Sequence, residues 1–192
     1  PWRNTDNPFH VLIAELFLQR TRSDNVEKIY LDFIDEFETP KDIMNAEKRD
    51  LMKYLSKLGL QNTRYKSITN ISNDLVKKSD GNVPTDIKSL KNINGVGEYI
   101  ANATLCFGHE QRVPIIDTNT KRWVKRYYGV DDNDVVKEKL LDVIPEVDYV
   151  KFNFALLDFC ALICKAINPK CEECIINKNC YYYNNEEIYN EN

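Results

Sequence analysis

The sequence predicts an all-α protein, and three observations lead to that prediction. Apolar side chains recur at spacings of three and four residues along most of the chain, which is the period of an amphipathic helix. No run of residues alternates between apolar and polar as a half-buried strand does. The one extended candidate, Val113-Pro114-Ile115-Ile116, is short and contains proline, so we interpret it as a connector between helices.

Start and stop signals divide the first half of the chain into five helices. Asparagine, serine or threonine caps a helix, proline fits its first turn, and glycine ends it. In order, the signals are Asn7-Pro8, Thr21 or Ser23, Thr39-Pro40, Gly59 and Asp80-Gly81. The apolar stripe from Val26 to Phe37 defines the second of these helices.

In the second half of the chain the sequence predicts five further short helices. Thr85-Asp86 caps a helix that ends near Leu90, and a longer one runs from about Gly97 to Phe107. The remaining three are expected over residues 119–128, 133–144 and 148–163. Roughly nine to ten helices without an internal repeat therefore account for the chain.

Length, hydropathy and charge limit the class of protein. The 192 residues suit one domain or two small lobes, and a mean hydropathy of −0.50 with no long apolar run predicts no membrane span. The net charge of −4 argues mildly against nucleic-acid binding. However, five basic residues between Arg112 and Arg126 predict a local basic face, because binding depends on local potential. The acids concentrate at residues 131–148 and in the tail, at Glu186, Glu187 and Glu191.

The first residues, Pro1-Trp2-Arg3, show neither a signal peptide nor an initiator methionine. We therefore expect a cytoplasmic protein whose N-terminus has been trimmed.

Four of the six cysteines cluster near the C-terminus, as Cys164-x6-Cys171-x2-Cys174-x5-Cys180. A chain of this length needs no disulfide framework, so clustered cysteines indicate a metal site in a reducing compartment. Zinc sites usually contain two C-x2-C pairs, so this spacing favours a [4Fe–4S] cluster over zinc or free thiols. We expect its role to be structural, because no substrate-binding motif accompanies it.

A glycine-containing hairpin, Asn94-Gly95-Val96-Gly97, lies between two predicted helices. Such a hairpin brings main-chain N–H groups close to a ligand and holds a phosphate without reading the base sequence. The alternative interpretation is a tight helix–helix turn.

Two carboxylates lie where catalysis would use them. Asp117 precedes a helix, where it either caps that helix or stabilises a cation that develops during glycosidic cleavage. Glu15 is the only charged residue between Asp6 and Arg20, so we expect desolvation to raise its pKa and suit it to proton donation. The alternative for Glu15 is a solvent-facing position. Gln19 lies one turn further along the same helix face.

Together these residues resemble the helix-hairpin-helix (HhH-GPD) DNA glycosylase superfamily with an iron–sulfur loop. This group contains endonuclease III and the adenine and thymine mismatch glycosylases. The resemblance extends from Pro1 through Cys180. Asp117 matches the family's catalytic aspartate, the cysteine spacing is the family's own, and the hairpin matches P-G-V-G with Asn94 in place of proline.

The resemblance implies a two-lobed all-α fold. A six-helix barrel lobe would comprise residues 8–111 and contain the hairpin, while residues 1–7 and 112–192 would form the lobe with the [4Fe–4S] cluster. The implied partner is double-stranded DNA with a mismatched or damaged base, which is extruded into the cleft between the lobes. We expect a monomer that does not bind membranes and that associates with the nucleoid of a prokaryote.

By the same resemblance, Asp117, Glu15 and Tyr99 are the catalytic residues. Bifunctional members have a lysine at the Tyr99 position, and tyrosine cannot form a Schiff base, so the chain resembles a monofunctional glycosylase. Glu15 matches the glutamate of the mismatch glycosylases. The implied DNA contacts are Gln19, which fills the gap left by the extruded nucleotide, with Arg20, Leu60, Gly95, Val96, Gly97 and Lys121.

The excised base is predicted less directly. Gly59-Leu60-Gln61-Asn62 is similar to the thymine/uracil–G mismatch glycosylases of archaeal type, whereas adenine glycosylases carry a Gly-Tyr-Tyr wedge at this position and commonly a further C-terminal domain. We therefore expect excision of thymine or uracil opposite guanine in base excision repair. The alternatives are an adenine glycosylase acting on A·G or A·8-oxoG and, from another class, a non-catalytic DNA-binding module.

Overall fold

The structure, a computed structural model, describes residues 1–185, so the tail glutamates at 186, 187 and 191 lie outside the described residues. Over this range it contains eleven α-helices and no strand, which confirms the predicted all-α fold. The helices are α1 (Pro8–Leu18), α2 (Ser23–Glu36), α3 (Pro40–Asn45), α4 (Lys48–Leu55), α5 (Gln61–Ser79), α6 (Ile87–Lys91), α7 (Glu98–Ala103), α8 (Thr118–Tyr128), α9 (Asn133–Val143), α10 (Tyr149–Leu162) and α11 (Tyr181–Asn184).

Shorter helical segments connect these helices. The helix predicted over residues 97–107 is α7 followed by a π-helical segment, Thr104–Gly108. Four 3₁₀ turns complete the helical elements of the described range: Trp2–Asn4, Ser56–Leu58, Cys171–Glu173 and Asn177–Asn179. None of the helices in this range is both long and apolar enough to cross a bilayer.

Two helix starts show how far local signals determine the boundaries. Thr39 and Asp42 form a capping box at α3, as the Thr39-Pro40 signal predicts. The cap of α2 was predicted wrongly, because Arg22 precedes that helix and makes no side-chain cap. The Thr21 hydroxyl is engaged elsewhere: it accepts a hydrogen bond from Arg64 and donates to the Leu58 carbonyl at 3.2 Å.

The chain forms two compact units, residues 1–111 and 112–192. In the first unit, α1 is buried along nearly its whole length, and Phe33 of α2 packs edge-on against Phe17 and Tyr54. Residues 1–7 were expected in the other lobe but are grouped with this unit, where the Trp2 ring packs against the Tyr30 ring at 5.8 Å between centroids. The assignment of the units to the family's barrel and cluster lobes stays a prediction.

The second unit is built on α8, α9 and α10. Its core contains Trp123, Val124, Val136, Leu140, Leu156 and Cys160. The connector at residues 113–116 belongs to no helix or strand. Buried Asn153 of α10 holds it, because its side chain accepts from the Ile115 N–H and donates to the Val113 carbonyl, both at 3.3 Å.

Candidate active site

Glu15 is buried in the first unit among the apolar residues of α1, and only 6% of the residue is exposed. The alternative of a solvent-facing Glu15 is therefore wrong. Burial, and secondarily the charge of Glu15, raise the pKa of Tyr30. The Tyr30 hydroxyl donates to the His10 carbonyl at 3.1 Å. A carboxyl group in such surroundings is suited to exchanging a proton with a bound ligand.

Gln19 and Arg20 follow the end of α1, and both are exposed. Leu60 precedes α5 and is 56% exposed, which is unusual for a large apolar side chain beside the core. Arg20 and Leu60 both adopt left-handed backbone conformations, with φ of 55° and 50°. Each costs about 1–2 kcal/mol for a residue with a Cβ atom, so the surrounding structure must enforce them.

These two segments line one cleft of about 470 Å³ within the first unit. The side chains that line it include Leu16, Gln19, Arg20, Leu60, Thr63, Arg64 and Ser67. Sequence analysis identified Gln19, Arg20 and Leu60 and missed Arg64, which is buried beneath them. Nothing local marks Arg64, because its hydrogen-bond acceptors at Leu16 and Gln19 lie 48 and 45 residues away.

The hairpin between α6 and α7 is fixed from α5. Asp74 accepts a hydrogen bond from the Asn94 N–H at 3.0 Å, and the Lys78 ammonium donates to the Asn92 carbonyl at 3.1 Å. The Asn94 N–H, followed by Lys78, holds the pKa of Asp74 below its ordinary value. Proline lacks an N–H and would lose this bond. Asn94, where the family motif has proline, therefore has a structural reason in this chain.

The hairpin glycines serve different purposes. Gly95 has a φ of +101°, which disfavours any other residue, whereas Gly97 has an ordinary φ of −82°. A Cβ atom on Gly97 would meet no atom within 4 Å, so the fold itself does not require glycine there. The bare backbone suits close approach of a ligand. Val96 between them is buried and anchors the turn, and half-buried Tyr99 lies in the first turn of α7.

Asp117 lies in the second unit, at the N-terminus of α8. One carboxylate oxygen accepts from the Asn119 and Thr120 N–H groups at 2.8 and 2.7 Å, and the other accepts from the Asn119 side-chain amide at 2.8 Å. Thr120 completes a capping box. Asp117 therefore caps α8, as one interpretation predicted. The same three donors orient its carboxylate, which a catalytic role would also require.

Two further side chains connect Asp117 to the cysteine-containing loop, and sequence analysis missed both. The Asn119 side-chain oxygen accepts from Arg122 Nη1 at 2.9 Å. Arg122 also donates through Nε and Nη2 to the Cys164 carbonyl, at 3.1 and 2.8 Å. The orientation of Asp117 is thus linked through Asn119 and Arg122 to the first of the four clustered cysteines.

The basic run from Arg112 to Arg126 does not form the free basic face that the sequence predicts. Arg112 donates to carbonyls at the end of α9, Lys125 pairs with Asp131, and Arg126 donates to the Lys165 and Ala166 carbonyls. Among the described residues, Lys121 is the one member of the run whose side chain makes no hydrogen bond or ion pair. Four of the five charges therefore stabilise the second unit.

The four clustered thiols line one small cavity, together with the Trp123 ring. Within the described range, no three His, Cys, Asp or Glu side chains are arranged to hold a single metal ion. Four thiols that line one cavity match the donor set that would hold a [4Fe–4S] cluster. Buried Trp123 Nε1 has no hydrogen-bond partner in the described part of the chain, which suits a donor facing cluster sulfurs.

The α8 helix also contacts these cysteines. Arg126 Nη1 donates to Cys164 Sγ at 3.8 Å, and Cys180 Sγ lies 3.5 Å from the Arg126 carbonyl oxygen. Cys106 and Cys160 lie apart from the cluster and are fully buried. Burial raises the pKa of Cys160 to about 12, consistent with a core residue that is not a ligand.

Comparison with known proteins identifies the family. Residues 13–146 match the model of the HhH-GPD superfamily of base excision DNA repair proteins, and residues 164–180 match the iron–sulfur binding domain of endonuclease III. The chain belongs to the HhH-GPD superfamily. It is a base excision repair DNA N-glycosylase with a [4Fe–4S] cluster, so the predicted family, enzyme class and cofactor are confirmed.

Individual relatives add detail. The chain is 31% identical to thymine/uracil-DNA glycosylase of Methanothermobacter thermautotrophicus, over 95% of this chain and 86% of that protein. It is 32% identical to adenine DNA glycosylase of Buchnera aphidicola subsp. Baizongia pistaciae, but spans only 56% of that protein. The solved structure of a thermostable thymine-DNA glycosylase matches with a TM-score of 0.91 at 32% identity, over 96% of this chain and 88% of that one.

Proposed function

We propose that this DNA glycosylase removes thymine or uracil opposite guanine from duplex DNA. The observation that supports this base preference best is the similarity to thymine/uracil-DNA glycosylase over nearly the whole length of both chains. The structural similarity to a thymine-DNA glycosylase agrees with it. So does Leu60, an aliphatic residue at the exposed turn where adenine glycosylases carry an aromatic wedge.

A second candidate is removal of adenine, because an adenine DNA glycosylase is also similar at 32% identity. The similarity covers little more than half of that protein. It therefore supports a common catalytic region more than it supports a common substrate. Excision of adenine from A·G or A·8-oxoG is therefore the outcome to test against.

In the proposed reaction, the hairpin at Gly95 and Gly97 holds backbone phosphates through main-chain N–H groups, without reading sequence. Gln19 and Leu60 enter the duplex at the mismatch. Together they wedge the duplex open, and Gln19 fills the gap left by the extruded nucleotide. Extrusion of a mismatched base costs a few kcal/mol, less than that of a paired one, which favours the lesion.

The bond that breaks joins C1′ of the sugar to the ring nitrogen of the base. Its electron pair leaves with the base, to which buried Glu15 donates a hydrogen bond or a proton. The sugar develops the positive charge of an oxocarbenium ion. The oriented Asp117 carboxylate stabilises this charge or accepts a proton from the water that adds at C1′. The products are the free base and an abasic site.

Tyr99 bears on whether the DNA strand is cleaved after the base is released. A phenol cannot form the Schiff base through which bifunctional relatives cleave the strand, so the proposed enzyme is monofunctional and Tyr99 packs against the extruded nucleotide. Tyr99→Lys should introduce strand cleavage and a covalent complex with DNA that borohydride traps. Tyr99→Phe, as the matched control, should give no trapped complex. Absence of trapping in the lysine variant would contradict the position assigned to Tyr99.

The [4Fe–4S] cluster has a structural part in this proposal. When bound, it ties together the loop that contains the four cysteines. Arg122 and Arg126 hold the carbonyls of that loop from α8. The proposed working form is a monomer in the cytoplasm of a prokaryote.

The base preference is tested by single-turnover excision from four duplexes of one sequence context, containing G·T, G·U, A·G or A·8-oxoG. We expect thymine and uracil to be released at least about 10-fold faster than adenine, because a pocket that hydrogen-bonds one base edge rejects another. Faster release of adenine would establish the second candidate. Binding of all four duplexes without release of any base would instead indicate a DNA-binding module.

A further inference from the structure

Arg64 joins the two segments that present Gln19 and Leu60. It lies in the first turn of α5 and is 8% exposed. Its Nη1 donates to the Leu16 carbonyl and its Nη2 to the Gln19 carbonyl, both at 2.6 Å. Nε donates to the Gly59 carbonyl at 3.0 Å, and Nη2 also reaches the Thr21 hydroxyl.

Two of these acceptors lie where the backbone is most constrained. The Gln19 carbonyl belongs to the peptide bond that precedes Arg20, and the Gly59 carbonyl to the one that precedes Leu60. Both following residues have left-handed backbones. One guanidinium therefore fixes the orientation of the peptide plane before each strained residue. Such conformations persist where the surroundings over-determine them, and they cluster at functional sites.

The chemistry of arginine explains why this residue type is used. The carbonyls at the end of α1 have no partner within the helix, and they lie at the negative end of its dipole. Arginine offers five donors in a rigid planar fork, so it reaches several carbonyls at once and stays charged when buried. Burial lowers the pKa of Arg64, yet the group remains far from neutral at physiological pH. A lysine would supply a point charge without the fork.

We propose that Arg64 is a positioning residue that holds Gln19 and Leu60 as a preformed wedge for base extrusion. This inference rests on the proposed function, in which those two side chains enter the duplex. Arg64 itself need not touch the DNA. Preordering both segments removes the entropy that they would otherwise lose on entering the duplex, so extrusion is favoured before the glycosidic bond breaks.

The test compares Arg64→Lys with wild type on two substrates. One is a G·U duplex, which requires extrusion. The other contains uracil in a three-nucleotide bubble, where the base is already unstacked. We expect the single-turnover rate to fall about 10- to 100-fold on the duplex, the range expected for misplaced groups, and by less than about 3-fold on the bubble. The fluorescence of 2-aminopurine beside the uracil should rise less on duplex binding than with wild type.

Two further variants provide a matched control and a substitute in case Arg64→Lys does not fold. Arg49→Lys, at an exposed ion pair with Glu47, is the matched control and should behave as wild type. Thr21→Val removes one of the four acceptors and should give a smaller loss of the same kind, if Arg64→Lys proves too unstable to assay. Equal losses on duplex and bubble, or no loss on either, would overturn the positioning role.

Variants of Gln19 and Leu60 distinguish a failure of the proposed function from a failure of the role proposed for Arg64. If Leu60→Ala and Gln19→Ala excise uracil from the duplex at the wild-type rate, the proposed function of these side chains is wrong, whatever Arg64→Lys does. If both lose activity on the duplex and Arg64→Lys does not, only the role of Arg64 is overturned.

Discussion

Arg64 in the first unit and Arg122 in the second both direct their guanidinium groups to backbone carbonyls, but the two arrangements differ in kind. The acceptors of Arg64 are three carbonyls and a hydroxyl around two exposed turns. Arg122 instead bridges a side-chain amide, which holds the Asp117 carboxylate, to the carbonyl of Cys164. One arginine fixes backbone that presents side chains outward, and the other links a carboxylate to the iron–sulfur loop.

The difference assigns the two regions to separate stages of the proposed reaction. The segments around Arg64 present Gln19 and Leu60, to which we assign base extrusion. The region around Arg122 contains Asp117 and serves cleavage of the glycosidic bond. Mutations in the second region should therefore reduce chemistry while leaving DNA binding intact.

The largest effect is expected for Asp117→Asn. The variant loses the negative charge to which we assign stabilisation of the developing cation, so excision should fall by at least about 1,000-fold while affinity for the mismatched duplex is retained. Single-turnover base release and a gel-shift titration measure the two quantities. Asp132→Asn is the matched control, because Asp132 caps α9 through the same kind of side-chain bonds. Comparable losses of excision rate in both variants would show that Asp117 acts only as a helix cap.

Removal of the cluster should have the next largest effect. Cys174→Ser removes one thiolate of the cavity, so the protein should lose iron and its broad visible absorbance. Excision should fall about 10- to 100-fold, because Arg122 loses its ordered acceptor at Cys164. The iron-to-protein ratio measured by a colorimetric assay tests the ligand assignment.

Cys160→Ala is the control for the cysteines, since this thiol lies in the same unit but outside the cavity. It should retain the full iron content. Iron retained by Cys174→Ser, or lost by Cys160→Ala, would contradict the ligand set.

A smaller effect is expected when the link between the cluster loop and Asp117 is cut. Arg122→Met should keep the iron and bind DNA, but lose about 10-fold in excision, because Asn119 is no longer held against the carboxylate. Lys125→Met removes a charge from the same helix and should not alter the rate. An Arg122→Met variant with the wild-type rate would show that Asn119 orients Asp117 unaided.

The smallest effect concerns the hairpin. Asp74→Asn should destabilise the protein by about 1 kcal/mol, because a charged acceptor of the Asn94 N–H and of Lys78 becomes neutral. The pKa of Asp74 is lowered in the folded state, so its contribution is present above the unfolded-state pKa of about 4 and is lost as pH falls through the lower, folded-state value.

Urea unfolding at several pH values checks this prediction. The difference between wild type and Asp74→Asn should be constant from about pH 6 to 8 and shrink below about pH 4. A difference that grows towards low pH would have the wrong sign.

Structural features that depend on local sequence were predicted well. The hairpin, the cysteine spacing and the helix that Asp117 begins all follow from short motifs, and the structure adds the bonds that hold them. Glu15 was recognised because an acid within an apolar stripe of a helix has to be buried or lie at its edge.

Residues whose roles depend on contacts distant in sequence were not predictable. Arg64 binds carbonyls more than forty residues away, and Arg122 reaches Cys164 across 42 residues. The basic run was misjudged for the same reason. Counting charges cannot tell a solvated arginine from one that caps a helix end, as Arg112 does at Ile144. The grouping of residues 1–7 with the first unit, where Trp2 packs against Tyr30, has no local signal either.

We propose above that this protein cleaves the glycosidic bond of a base opposite guanine and leaves the strand intact. The most direct measurement is the mass of the uracil-containing strand after single turnover of the wild-type protein on a G·U duplex, without heat or alkali. We predict a full-length strand that has lost only uracil. An unchanged strand, or a strand broken at the uracil position, would contradict the account.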